Sequence, residues 1–314
     1  MTYLRIIKQK ELDLDTNQMV QLLGSNNEFI NYLEKRYDVE ILSRGQTLKI
    51  SGSEESTQAL EEILSLMIDY VKRNQSLSLG QIKQFDNRNL LMDISKTKPI
   101  TYNIQGKQIY PKTLGQADLV TAMSNHDMVF SLGPAGTGKT FLAVAYGVKL
   151  LRENKIKRII LVRPAVEAGE NLGFLPGDLK EKVDPYLQPL YDALNLLLGL
   201  ESVDKYIEKG IIEIAPLAYM RGRTLDDAMV ILDEAQNTTK AQMKMFLTRM
   251  GFNSKMIING DITQIDLKHP SDSGLLEAIE LLKGIDEISI FELGLKDIVR
   301  HPLVSKILAK YQGE

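Results

Sequence analysis

Cysteine and tryptophan are both missing from the 314 residues, histidine occurs only three times, and aromatic residues make up 6%. Each shortage excludes a class of chemistry. Without cysteine there is no disulfide framework, thiolate zinc site or cysteine nucleophile, and the chain fits a reducing compartment. His126, His269 and His301 stand too far apart in sequence to form a histidine-rich metal motif. So few aromatics give no platform for stacking bases, so sequence-specific base reading is not indicated. No stretch approaches the roughly 18 apolar residues of a spanning helix. The opening MTYLRIIKQKELDLD also lacks the apolar core of an export signal, so a cytoplasmic location is expected.

What remains is ordinary globular composition, 44% apolar and 25% charged, at a length that predicts two domains or one large one with an appendage. About three quarters of the unfolded surface is expected to be buried at this mass, so no covalent staple is required. The net charge of −3 conceals an uneven spread: from Lys72 to Lys112 eight basic residues face only Asp86 and Asp93, a local balance of +6. Such a segment is a candidate polyanion contact or a solvated linker.

Residues 1–73 read as strand, helix, strand, strand, helix. Tyr3–Lys8 forms the first strand, and Phe29, Ile30, Leu33 and Tyr37 recur at helical spacing. Val39–Ser43 and Thr47–Ser51 alternate around Arg44-Gly45-Gln46 as a hairpin. Ser53 then caps a helix whose inner face carries Leu60, Ile63, Leu64, Met67 and Val71. Residues 74–112 read as an extended basic connector. Beyond Thr113, six apolar runs (129–132, 158–162, 211–215, 229–232, 256–258 and 288–291) alternate with helical patterns. That alternation predicts a doubly wound α/β domain over 113–314 with a mostly parallel sheet.

Gly133-Pro134-Ala135-Gly136-Thr137-Gly138-Lys139-Thr140 fits G-x-x-x-x-G-K-[ST] and sits between a strand run and a helical run. Glycines let the backbone wrap closely and aim N–H groups at phosphate oxygens, and the following helix N-terminus adds positive potential. Lys139 is expected to reach the β- and γ-phosphates and Thr140 to ligate Mg²⁺. A carboxylate at the end of a neighbouring strand is also required, and Met229-Val230-Ile231-Leu232-Asp233-Glu234 supplies two. Asp233 is expected to hold the metal and Glu234 to polarise the attacking water. Guanine readers carry N-K-x-D; the sole Asn-Lys pair, Asn154-Lys155, is followed by Ile156-Lys157, so ATP is expected over GTP. Gln116, 17 residues before Gly133, sits where helicase-like enzymes place an adenine-reading glutamine.

The segments Arg163 to Glu170, Leu172 to Asp178, Tyr219 to Thr224 and Asp233 to Asn237, in that order, resemble the PhoH-like ATPases of bacteria. The likeness covers about 200 residues from Thr113 to Tyr311. The resemblance implies a RecA-like P-loop NTPase core related to superfamily 1 helicases, with ATP and Mg²⁺ as cofactors. It also implies a role in RNA metabolism, with a ribosomal-RNA-processing endoribonuclease or the ribosome as partner, and a homo-oligomer such as a hexameric ring. Within it, Gln264 of Gly260-Asp261-Ile262-Thr263-Gln264 would sense the γ-phosphate, and Arg300 would contact phosphate. Asn259 and Val162 depart from the family's usual residues without removing a charged group. The element order of residues 1–73 resembles a KH-like RNA-binding domain, whose GXXG loop clamps backbone; here the stretch is Gly24-Ser25-Asn26-Asn27, lacking the second glycine, so RNA clamping and protein docking are both candidate roles.

Arg163, Arg221 and Arg223 follow expected strands, where open α/β sheets form their ligand crevice, and are candidates for RNA-backbone contact. The expected activity is Mg²⁺-dependent ATP hydrolysis coupled to RNA. The alternative is an ATP-controlled adaptor with slow turnover and no unwinding.

Overall fold

The computed structural model describes residues 6–11, 14–72, 97–164 and 179–299, together with 77, 79 and 82. It divides into two compact units, one reaching to Thr97 and one running from Lys98 to Arg300.

In the first unit the elements are β1 (Ile6–Glu11), α1 (Thr16–Leu23), α2 (Glu28–Tyr37), β2 (Glu40–Arg44), β3 (Thr47–Gly52) and α3 (Glu54–Lys72). The strands form an antiparallel sheet in the order β1-β3-β2. Leu48 and Ile50 alternate inward from β3 and are fully buried with Leu60, Leu64, Met67 and Val71 of α3. Ser53 caps α3 as its sequence predicts, its Oγ accepting from the Ser56 N–H at 3.1 Å. Helix α1 escapes the sequence reading, since only Met19 and Leu22 of its eight residues are buried; a capping box between Asp15 and Gln18 defines its start. Of the expected strand Tyr3–Lys8, residues 3–5 lie outside the described residues. In the loop before α2, Asn26 and Asn27 hold φ of 52° and 58°. Asparagine tolerates this left-handed region better than most residues, so the turn forms without a second glycine.

The second unit opens with a short hairpin, β4 (Thr101–Tyr102) and β5 (Gln108–Ile109). Ile100 enters the main apolar core, so residues 98–112 are part of this unit and not of an extended connector. Two-residue strands carry too little periodicity to be read from sequence. Arg152 stacks on the Tyr102 ring, 3.8 Å from its centroid, and donates to Thr101 Oγ1 at 2.8 Å, fastening the hairpin.

The central sheet contains β6 (Met128–Leu132), β7 (Arg158–Arg163), β8 (Ile212–Pro216), β9 (Ala228–Leu232), β10 (Lys255–Gly260) and β11 (Ile288–Glu292), matching the six predicted runs. Its order is β11-β6-β10-β9-β7-β8, and all five ladders are parallel. Helices α4 (Leu114–Asn125), α5 (Lys139–Arg152), α6 (Leu179–Leu198), α7 (Leu200–Glu208), α8 (Lys240–Leu247) and α9 (Gly274–Leu281) flank it. Side chains alternate between the two faces. Val129, Ile159, Leu161, Ile231 and Ile257 join one apolar layer with α4, α5 and α6. Phe130, Ile160, Val162, Val230 and Ile258 join another with Met243, Phe246 and Leu275. Burial on both faces explains why these strands read as continuous apolar runs. Because β10 lies between β6 and β9, the residues that follow these three strands emerge side by side at one edge of the sheet.

Candidate functional site

A phosphate loop leaves β6 at that edge. The Gly133 N–H donates to the Gly260 carbonyl at 3.2 Å, tying the loop to β10. At φ 137°, Gly133 lies so close to the Leu293 carbonyl that an added Cβ would stand 2.4 Å from its oxygen, so only glycine fits. Gly136 and Gly138 complete the curl at φ 88° and 83°, and the free N–H groups of the first turn of α5 follow directly. Lys139 arches back over the loop, its Nζ donating to the carbonyls of Gly133 and Pro134.

Asp233 follows β9 and is 5% exposed. Its Oδ1 accepts from Thr140 Oγ1 at 2.7 Å and from Asn259 Nδ2 at 3.4 Å, so the loop and the acidic strand end meet directly. Burial pushes this carboxyl above the usual range; the Thr140 hydrogen bond opposes the shift, neighbouring Glu234 adds to it, and Arg163 and Asn259 oppose it. A carboxyl raised on folding favours the folded state only while protonated, and that contribution is lost as pH rises through its folded pKa. Above that folded pKa the ionised Asp233 is therefore a burden on the fold unless a cation faces it. Asp233→Asn should melt a few degrees higher than the wild type in chelator, whereas Mg²⁺ should raise only the wild type's melting temperature. Scanning calorimetry with and without Mg²⁺ checks both; a variant that melts lower in chelator contradicts this reading of the carboxylate.

Glu234 holds a left-handed backbone at φ 53°, a strain of about 1–3 kcal/mol of the kind kept where a side chain must be aimed. Its Oε1 accepts from Arg163 Nη2 at 3.3 Å and its Oε2 from Gln236 Nε2 at 2.7 Å. Gln236, 1% exposed, also donates to the Gln264 carbonyl at 3.1 Å and accepts from the Asp261 N–H at 3.0 Å. One buried amide thus links the acidic strand end to the Gly260–Gln264 segment.

Asp233 and Glu234 line a cavity of about 510 Å³ with the loop, a volume within the range of small-molecule sites. Lys139, Thr140, Asp233, Glu234 and Gln264 all face it, as their sequence roles require, and α6 closes one side with Pro189, Asp192 and Leu196. Asn259 and Asp261 also line it, and each carries a buried side-chain oxygen without a hydrogen-bond partner, Oδ1 and Oδ2 respectively. A hard cation suits this donor set: a buried carboxylate oxygen on Asp233, the Thr140 hydroxyl and nearby unsatisfied oxygens.

Several expected site residues are engaged elsewhere. Gln116 is buried, and both ends of its amide are used within the protein: Nε2 donates to the Thr137 carbonyl at 2.9 Å and Oε1 accepts from the Lys112 N–H at 2.7 Å. The Arg223 fork grips both carboxylate oxygens of Glu213 on β8, and Arg163 is turned onto Glu234. Arg221 is exposed and has no side-chain partner among the described residues. Arg300 and the motif residues 165–178 lie outside the described residues. The α6 wall had no distinguishing sequence signal; Gln236 stood within the Asp233 to Asn237 motif without an assigned role, and Asn259 registered only as a departure from a family pattern.

The PhoH-like protein family model matches residues 108–312. The chain belongs to this family. A PhoH-like protein of Bacillus subtilis is 54% identical over 303 residues, 95% of each chain. Protein PhoH of Escherichia coli is 45% identical over 236 residues, spanning 74% of this chain and 64% of its own length. Among solved structures, the UvsW helicase of bacteriophage T4 aligns at 16% identity and a TM-score of 0.36, covering 68% of this chain and 77% of the helicase chain. In this PhoH-like chain the phosphate loop and the paired carboxylates Asp233 and Glu234 line one cavity. Among its described residues no helix is long and apolar enough to cross a membrane.

Proposed function

We propose that this PhoH-like protein is a Mg²⁺-dependent ATPase that remodels or unwinds structured RNA for a ribosomal-RNA-processing endoribonuclease or the ribosome. The observation that carries the reading is the convergence of Lys139, Thr140, Asp233 and Glu234 on one cavity, with Thr140 and Asp233 in direct contact. Mg²⁺, held by Thr140 and Asp233, would neutralise charge on the phosphate oxygens. Lys139 exchanges its loop carbonyls for the β- and γ-phosphates. Glu234 accepts the proton of the attacking water, and Gln264 contacts the γ-phosphate from beyond the end of the adjacent strand β10. ATP is the substrate because no N-K-x-D element is present. Turnover of ATP and GTP by purified protein, in Mg²⁺ and in chelator, tests this: faster ATP turnover that vanishes in chelator is expected, and equal rates for the two nucleotides would remove the ATP preference.

Of the three candidate arginines, Arg221 is the one without a carboxylate partner among the described residues, since Arg163 pairs with Glu234 and Arg223 with Glu213. Arg221→Ala should weaken RNA binding and lower the slope of log affinity against log salt by about 1. An unchanged slope, measured by fluorescence anisotropy from 50 to 200 mM salt, would shift the contact to the basic residues 72–112 or to the KH-like unit.

One such core supplies one face to a nucleotide, and charge on the γ-phosphate side is commonly completed by an arginine from a second core. A closed head-to-tail ring of identical copies, such as a hexamer, would provide it, with Arg300 as the donor. Mixing inactive Lys139→Ala with inactive Arg300→Ala under subunit exchange should then restore partial hydrolysis. No recovery in demonstrated mixed rings would place Arg300 in its own copy's site or in a structural role.

The engagement of both Glu234 oxygens favours one second reading, an ATP-controlled adaptor with slow turnover. ATP-dependent partner binding without RNA-stimulated hydrolysis would select it.

A further inference from the structure

The phosphate loop is held from outside as well as from within. After β11 the chain passes the loop twice: the Leu293 carbonyl lies against Gly133, and the Val299 N–H donates to the Gly136 carbonyl at 2.9 Å. Between these points Asp297 turns inward and is 2% exposed. Its Oδ1 accepts from Thr113 Oγ1 at 2.6 Å and its Oδ2 from the Gly294 N–H at 3.0 Å. Thr113 is the N-cap of α4, its Oγ1 accepting from the Gln116 N–H at 3.1 Å. The Gln116 amide then reaches the Thr137 carbonyl. Even Gly115 fits this junction, since an added Cβ would stand 2.5 Å from the Asp297 carboxylate.

We propose that Asp297, Thr113 and Gln116 form a brace that positions the phosphate loop, and that Gln116 is a positioning residue for phosphate binding and does not read the base. The inference rests on the nucleotide-binding reading of the loop. Its logic is geometric. The carbonyls of Gly136 and Thr137 are fixed from the outer side, and each belongs to a peptide unit whose N–H lies on the next residue, Thr137 or Gly138. Holding the carbonyl outward therefore sets the direction of that N–H. Each polar end of the Gln116 amide already makes a main-chain hydrogen bond, so its orientation is set by the loop and by Lys112. A buried carboxylate that accepts a hydroxyl and an N–H is rigid, and truncating either partner leaves the other unsatisfied. The contribution is the same for any nucleotide that presents a triphosphate, because the brace touches only the loop's backbone.

The test is equilibrium binding of ATP, GTP and inorganic tripolyphosphate to the full-length protein by titration calorimetry. Wild-type binding of the three probes checks the loop reading itself; if none binds, that reading fails before the brace is tested. Given binding, Gln116→Ala should weaken all three probes by the same factor, about five- to tenfold. A loss confined to ATP would make Gln116 an adenine reader and overturn the proposal, and so would unchanged affinity for all three. Thr113→Val should reproduce the loss while Thr113→Ser, which keeps the hydroxyl, restores affinity; a Thr113→Ser variant as weak as Thr113→Val would contradict the brace. Asp297→Asn combined with Gln116→Ala should be no weaker than the worse single variant, since both cut one chain of contacts, whereas additive losses would show two independent effects and overturn it. If Asp297→Asn fails to fold, the Gln116 and Thr113 arms still decide the matter.

Discussion

Lys139→Ala is expected to abolish measurable ATP turnover, a fall of at least about 100-fold, and to weaken nucleotide binding. The side chain is already poised above the loop, bonded to the Gly133 and Pro134 carbonyls, and an arriving phosphate would exchange two neutral acceptors for charged ones. Alanine removes the ammonium while the glycine curl, tied to β10 and pressed against Leu293, keeps its shape. The fold should therefore survive, and circular dichroism should be unchanged. Turnover at the wild-type rate in this variant would mean that the loop is not the phosphate site.

Glu234→Gln should separate binding from hydrolysis. The glutamine keeps the side-chain length and can still accept from Arg163, losing only the bond from Gln236, so the nucleotide should be retained. It cannot take a proton from water, and hydrolysis should slow by about 10²- to 10⁴-fold. Single-turnover measurement with the variant above its dissociation constant reads the two steps apart. Normal hydrolysis would assign proton acceptance to another group. Comparison with Asp233→Asn sharpens the contrast, because that variant should lose metal-dependent binding first.

Much of the second unit was legible because buried parallel strands read as apolar runs, and all six fell where strands occur. The phosphate loop and Asp233-Glu234 were legible for a different reason: their chemistry requires fixed residue types at fixed spacing next to strand ends. Strand order was not legible. The insertion of β10 between β6 and β9 is a long-range pairing, and it is what turns Asn259 from a neutral departure into a hydrogen-bonding neighbour of Asp233. The partners of the arginines were not legible for the same reason. Spacing put Arg223 beyond a strand, but only the fold shows Glu213 within reach of its fork, and only the fold shows both ends of the Gln116 amide occupied. The hairpin at residues 101–109 and helix α1 were missed because two-residue strands and a helix with two buried positions carry almost no periodic signal.

The most direct test of an RNA-coupled ATPase is steady-state ATP hydrolysis by the purified wild-type protein, in Mg²⁺, titrated with single-stranded RNA, structured RNA and DNA, with Lys139→Ala run beside it as the blank. Turnover should rise several-fold with RNA, the rise should weaken as salt is added, and the blank should show no activity. Hydrolysis that is the same with and without RNA at every salt concentration would contradict that coupling.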